Sequence, residues 1–147
     1  MPSWAEDTRR FLEAHRVGHV ATISPDGSPH VLPVCYALDD DAVYFVADAK
    51  PKQRPARTLQ RVQNVRASKQ AALVVDDYDD DWTRLAWVLV RGPASVVDEA
   101  AAHAAALARL RTRYPQYRSM ALDDPAAHPI VRIVPARVRS WRADQVR

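Results

Sequence analysis

Lys50, Lys52, Arg54 and Arg57 bring four cations into eight residues, and residues 50–69 hold seven Lys or Arg with no acid. The group follows a strand-like run over 42–48 and precedes a helix-like run from about 57 to Ala67. A helix N-terminus there points free N–H groups outward, and cations beside such an end suit a phosphate. A solvated basic loop is the alternative for the same residues.

Other chemistries find less support. His15, His19, His30, His103 and His128 are scattered and show no ligand spacing with each other or with Cys35, so no metal site is expected. Residues 76–81 hold five carboxylates and no base, without the pattern of a calcium loop, and read as a charged turn between strands. No Gly-x-Ser-x-Gly elbow is present, and Cys35 lies in an apolar run as a small inert core residue. With three glycines in the chain and neither a Walker motif nor a Gly-x-Gly-x-x-Gly fingerprint, a nucleotide held by a Gly-rich loop is excluded. What remains is an anion site with aromatic neighbours and no catalytic team, which suits a protein holding a redox cofactor that carries its own chemistry. Trp82, Trp87, Tyr44 and Tyr78 are the rings available to flank such a group. Trp87 and Tyr44 also read as fillers of a barrel or interface core, whereas Trp82, beside the acidic turn, reads as facing a pocket or a partner subunit.

The 147 residues, 48% hydrophobic, read as a single domain, 1–147, able to bury a core. One cysteine excludes an intrachain disulfide and suits a reducing compartment. Neither an 18-residue apolar run nor a signal-type start is visible, so a cytoplasmic protein without a membrane partner is expected. The net charge of +3 is unevenly placed, and the acidic turn beside the basic segment argues against nucleic acid. A compact anionic ligand needs only the local patch.

The elements that must position these residues follow from patterning. Ser3 and Glu6 form a capping-box pattern for a first helix carrying Trp4, Thr8, Phe11, Leu12 and His15, which Gly18 stops. Strands follow at 19–23, at 30–38 and at 42–48, as a meander joined by hairpin turns at 24–29 and 39–41. Pro33 places the second strand at an edge or bulge. After the basic segment and its helix come strands at 71–75 and 85–90, the latter bending at Gly92-Pro93 and continuing over 94–97. Asp98-Glu99 starts the longest helix, with His103, Leu107, Leu110 and Tyr114 along one stripe and Pro115 at its end. A last strand begins at 130–134 and continues past Pro135 to Trp141. Six strands or so with few helices predict a mainly β fold, a small antiparallel barrel.

Several stretches in this order resemble the pyridoxamine-phosphate-oxidase-like split-barrel family of flavin and deazaflavin proteins. They are His19-Val-Ala-Thr-Ile23, Asp26-Gly27-Ser-Pro-His-Val-Leu-Pro-Val34, Ala42-Val-Tyr-Phe45, Lys50-Pro-Lys52, Asn64-Val65, Gly92-Pro-Ala-Ser-Val96, and Ile133-Val-Pro-Ala-Arg-Val138 ending in Trp141. The acidic turn leading to Trp82 and Trp87 resembles an actinobacterial subgroup of probable F420-dependent enzymes. The resemblance implies a six-stranded antiparallel split β-barrel with flanking helices, and a homodimer with two cofactors in grooves between subunits. It implies that Lys50, Lys52 and Arg57 meet the cofactor phosphate and that Arg54 helps the phosphate or an acidic tail. The strand holding Leu32, Pro33, Val34, Cys35 and Tyr36 would lie along the ring through its backbone, with Trp82 coming from the opposite subunit. The implied reaction is hydride transfer between reduced coenzyme F420 and an unsaturated small organic substrate, with no side chain named as catalytic and Tyr36 a speculative proton donor. FMN is the alternative cofactor; Arg54, Arg61 or Arg91 would suit the extra carboxylates of F420. A protein that carries either cofactor without turnover is a further alternative, and an RNA-binding barrel a third. Pro51 and Pro55 around the cations depart from commoner members, as does the lack of an arm beyond Trp141, where vitamin B6 oxidases carry substrate arginines. Oxidation of pyridoxamine phosphate is therefore not expected.

Overall fold

In the computed structural model, which describes residues 4–47 and 55–145, the first hairpin closes where the turn residues predict. Strand β1 (Gly18–Ile23) pairs antiparallel with β2 (Pro29–Val34), with His19 opposite Pro33. Gly27 takes the left-handed conformation of the turn (φ 86°), and the Asp26 carboxylate accepts from Ser28 N–H at 3.0 Å. β2 has no second strand neighbour among the described residues, so Pro33 sits on an edge as expected.

The predicted three-strand meander does not form. After Val34 the chain leaves this sheet through Cys35 and Tyr36 and enters a second hairpin, β3 (Ala37–Leu38) with β4 (Val43–Val46). The far edge of β4 pairs with β7 (Ile130–Ile133), not with β2. All four residues of β4 are buried, because one face lines the barrel and the other meets a helix. A strand covered on both faces has no polar alternation to show in the sequence.

Strand β5 (Gln70–Asp77) pairs with β1 and with β6 (Ala86–Val97), and β8 (Arg137–Arg142) pairs with the first half of β6. The larger sheet thus runs β2-β1-β5-β6-β8 and the smaller β3-β4-β7-β6, with β6 shared between them. The change of sheet falls at Gly92-Pro93. A Cβ on Gly92 would lie 1.8 Å from the Val134 carbonyl oxygen and 2.8 Å from Ala136 N. The segment joining β7 to β8 crosses there: Val134 N–H donates to Pro93 O and Ala136 N–H to Arg91 O, each at 2.9 Å. Two more strands appear than the six expected, because 30–38 divides at the crossover and 130–141 divides at Pro135. The barrel core holds Val20, Tyr36, Phe45, Leu73, Val90 and Ile133 among others.

Helix α1 (Glu6–Ala14) begins after Ala5, which makes no side-chain cap, so the capping box expected from Ser3 is not the start; Ser3 itself lies outside the described residues. Nor does Gly18 stop it. The backbone turns extended at His15, and Gly18 is already a buried strand residue. Arg113 donates to the Leu12, Glu13 and His15 carbonyls, and the Tyr36 hydroxyl donates to Leu12 O at 2.6 Å. The orphan carbonyls of α1 are thus capped from elsewhere in the chain. Helix α2 (Gln60–Ser68) follows a 3-10 turn at Ala56–Thr58 and buries Val62, Asn64 and Val65. Buried Asn64 donates to Thr22 Oγ1 at 3.0 Å and accepts from Gln60 at 2.7 Å, so its amide is satisfied. Helix α3 (Ala100–Arg113) is capped by Glu99, which accepts from Ala101 and Ala102 N–H. It buries His103, Ala106, Leu107 and Leu110 against the outer side of the small sheet, the stripe the sequence predicts.

Candidate functional site

Lys50, Lys52 and Arg54 lie outside the described residues; Arg57 belongs to the 3-10 turn Ala56–Thr58. What the structure describes is the frame on either side of them. α2 starts at Gln60 with no side-chain cap and no acid in its first turn, so the positive end of its dipole faces the segment that carries the cations. On the other side, Asp39 fixes the β3–β4 hairpin. Its carboxylate accepts from Asp41 and Ala42 N–H, both at 2.8 Å, and from the Tyr44 hydroxyl at 2.7 Å. Burial pushes the Asp39 carboxyl up, but those hydrogen bonds and nearby Arg109 outweigh it and hold the carboxyl below the usual carboxylate range. Burial, with Asp39 as acceptor, pushes the Tyr44 hydroxyl up.

The five residues expected to run along a ring do not share one environment. Leu32 is half-buried and Pro33 exposed on edge strand β2, and Val34 turns into the barrel core. Cys35 is half-buried at the crossover and packs against the cluster under α3, in partial agreement with its expected core role. Tyr36 is the correction. It is fully buried, its N–H donates to Tyr114 Oη at 3.0 Å, and its carbonyl lies 2.8 Å from the same oxygen. Its hydroxyl donates to Leu12 O, and burial drives the pKa far up despite the Arg113 guanidinium, whose carbon lies 5.0 Å from the ring centre. Tyr36 has no polar group left for a ligand and is no proton donor.

Trp82 stands 68% exposed on a 3-10 turn, Trp82–Arg84, that ends the acidic stretch. Asp81 caps that turn by accepting from Thr83 N–H and Oγ1, so part of the acidic run serves local structure. Tyr78 is 70% exposed. Tyr44 is buried beneath α3, whereas Trp87 is half-buried opposite Trp141 on the outside of the large sheet.

That outer face is the feature patterning left unassembled. Register aligns Val31, Ala21, Ala72, Arg91 and Arg137 in one row across five strands, and Pro33, His19, Val74, Leu89 and Arg139 in the next. No helix covers it among the described residues, and Ile23 and Val31 are 40% and 58% exposed. Beside the first row lies a groove of about 770 Å³, bounded by Lys69, Arg91 and Arg137 with Ala21, Ala72 and Gly92. Of its cations, sequence reasoning raised Arg91 alone, as a partner for acidic groups. Lys69 and Arg137 come from elements distant in sequence, and only sheet register brings them together.

Among the described residues no three His, Cys, Asp or Glu side chains come together to hold a metal ion, and no helix is long and apolar enough to cross a membrane.

The antiparallel split barrel, with its exposed apolar face and cationic groove, matches known proteins over nearly its whole length. The family model described as pyridoxamine 5'-phosphate oxidase matches residues 5–143, and the chain belongs to that family. A solved conserved hypothetical protein from Mycobacterium tuberculosis is 26% identical, with a TM-score of 0.76 over 95% of this chain and 86% of that one. An F420 reductase is 24% identical, with a TM-score of 0.63 over 95% and 98%. A FAD-binding protein from Mesorhizobium loti is 22% identical, with a TM-score of 0.66 over 95% of each chain. No curated protein matches the sequence.

Proposed function

We propose that two copies of this chain join through the outer face of the large sheet and hold coenzyme F420 in the grooves between them. The pair acts as a cytoplasmic oxidoreductase, moving a hydride between the reduced deazaflavin and an unsaturated small organic substrate. The observation that carries the reading is the uncovered apolar face, bordered by the unpaired edge of β2 on one side and by Arg137 and Arg139 on the other. Exposed apolar sheet surface of this extent marks a contact surface.

These residues fit a ring-bearing anion. Lys50, Lys52, Arg54 and Arg57, before the uncapped start of α2, neutralise the phosphate. Leu32 and Pro33 offer an edge backbone and side chains to a ring, and Trp82 from the second copy covers it. When bound, the deazaflavin supplies the hydride; the chain orients it and excludes water from the face. With Tyr36 locked in the core, the proton comes from solvent or substrate.

F420 is preferred to FMN because Arg91 stands in a groove beyond what a single phosphate needs, and F420 carries further carboxylates. The likeness to a FAD-binding protein favours FMN as the second reading. Titration of the purified protein with each cofactor, followed by fluorescence, separates them: F420 binds at least tenfold more tightly on this account. Nanomolar FMN binding with no F420 binding would reject it.

A further inference from the structure

We propose that Lys69, Arg91 and Arg137 form a second oxyanion subsite, which takes a carboxylate or phosphate of an organic ligand lying on the outer face of the large sheet. The inference deepens the functional reading above, since it concerns the same face, but its cations are distinct from those at 50–57. Arg57 precedes and Lys69 follows the nine-residue α2, a helix length of about 13 Å.

Three independent features converge. Arg91 and Arg137 are register partners across β6 and β8, so two guanidinium stems leave the same face side by side. Like charges directly opposed in a sheet repel, and an anion between them removes the repulsion. Neither has an acidic partner among the described residues, whereas neighbouring arginines do: Arg66 pairs with Asp98, Arg84 with Asp81 and Arg142 with Asp144.

Lys69 supplies the second feature. It sits at the C-terminal cap of α2 with φ 59°, the one non-glycine residue with positive φ among those described. Glycine takes that conformation without strain, and Lys does not. That conformation closes the helix, with Lys69 N–H donating to Val65 O at 2.9 Å, and it sets the Lys69 residue at the rim of the groove.

The third is space. Ala21, Ala72 and Gly92 leave the groove open beneath these cations, and no acid among the described residues lines it. Its volume, about 770 Å³, falls in the range of small-molecule sites. An apolar floor with a few convergent charges is the usual composition of such a site.

The test is calorimetric titration of the full chain with citrate at low ionic strength, for wild type and for Arg91→Gln/Arg137→Gln. Citrate should bind the wild type, and the double variant should bind at least about tenfold more weakly. Removal of the opposed charges should leave the melting temperature equal to the wild type's or higher, which separates a ligand role from a structural one. F420 and FMN titrations distinguish the source of the oxyanion. If it is the cofactor's own tail, the variant loses affinity for F420 and keeps it for FMN. If it belongs to a substrate, both cofactors bind the variant normally and citrate does not. Should neither cofactor bind, the functional reading fails while the citrate result still judges the subsite. Citrate binding that is absent, or equal in both proteins, overturns it, as does a variant altered only in its self-association.

Discussion

The two sheets of this barrel are built from similar residues but finished differently on their outer sides. The small sheet is roofed by α3, so Tyr44, Val46, Val97 and Ile130 are buried beneath Leu107 and Leu110. Among the described residues the large sheet has no roof: Ala21, Ala72, Val74 and Leu89 are only half-buried, and Val31 is exposed. Water contact with apolar sheet costs free energy in proportion to area, which is why the proposed reading sets a second copy against this face. The charges agree. Arg111 beside the roof is bound to Asp123 at 2.9 Å and to the Tyr117 and Met120 carbonyls, while Arg91 and Arg137 beside the bare face oppose each other with no acid among the described residues. One side is finished by its own chain; on the reading proposed above, a ligand and a second copy complete the other.

Substitutions on the two sides should therefore fail in different ways. Leu110→Ala under the roof removes a fully buried side chain and should cost about 3 kcal/mol of folding stability, read by chemical denaturation, with self-association of the remaining folded protein unchanged. Val74→Asp, at the centre of the bare face, should leave the melting temperature within a few degrees of wild type and weaken self-association about a hundredfold, near 2.7 kcal/mol. Sedimentation measures this, and a V74D protein that associates normally would break the contrast.

Asp39 sharpens it further, because its hairpin belongs to the roofed small sheet. Its folded-state pKa is depressed below 3.8, so its stabilisation is present above that value and fades as pH falls through the folded pKa. Asp39→Asn should lose about 1 to 2 kcal/mol at neutral pH and show a shallower loss of stability in acid than wild type. The smallest expected effect is at Lys69, where Lys69→Gly should raise stability by about 0.5 to 1 kcal/mol by relieving the left-handed backbone while weakening citrate binding. A variant that gains stability and keeps full affinity would remove Lys69 from the subsite.

Much of this architecture could be read from local chemistry. Pro33 announced an edge strand, Gly92-Pro93 a bend in a long strand, and the spacing of His103, Leu107, Leu110 and Tyr114 the buried stripe of α3. The failures share a cause. The end of α1 depends on Arg113, about a hundred residues away in sequence, and the break at Cys35–Tyr36 depends on the Tyr114 hydroxyl that ties down the Tyr36 backbone. Neither leaves a trace near the position it controls, so Gly18 reads from the sequence as a stop it does not make. That Trp82 stands outside the core and that Leu32 and Pro33 lie on an edge strand is legible in the sequence. The pairing of Arg91 with Arg137 is not, since register between strands separated by forty-odd residues is set by the folded sheet. The burial of Tyr36 follows from the crossover, which patterning does not reveal.

The central claim, that the bare face of the large sheet closes on a second copy with a deazaflavin between, is tested most directly by sedimentation of the purified chain with F420 monitored at the cofactor's own absorbance. The account predicts a dimer at low micromolar concentration carrying two cofactors. A monomer sedimenting free of both F420 and FMN would contradict it.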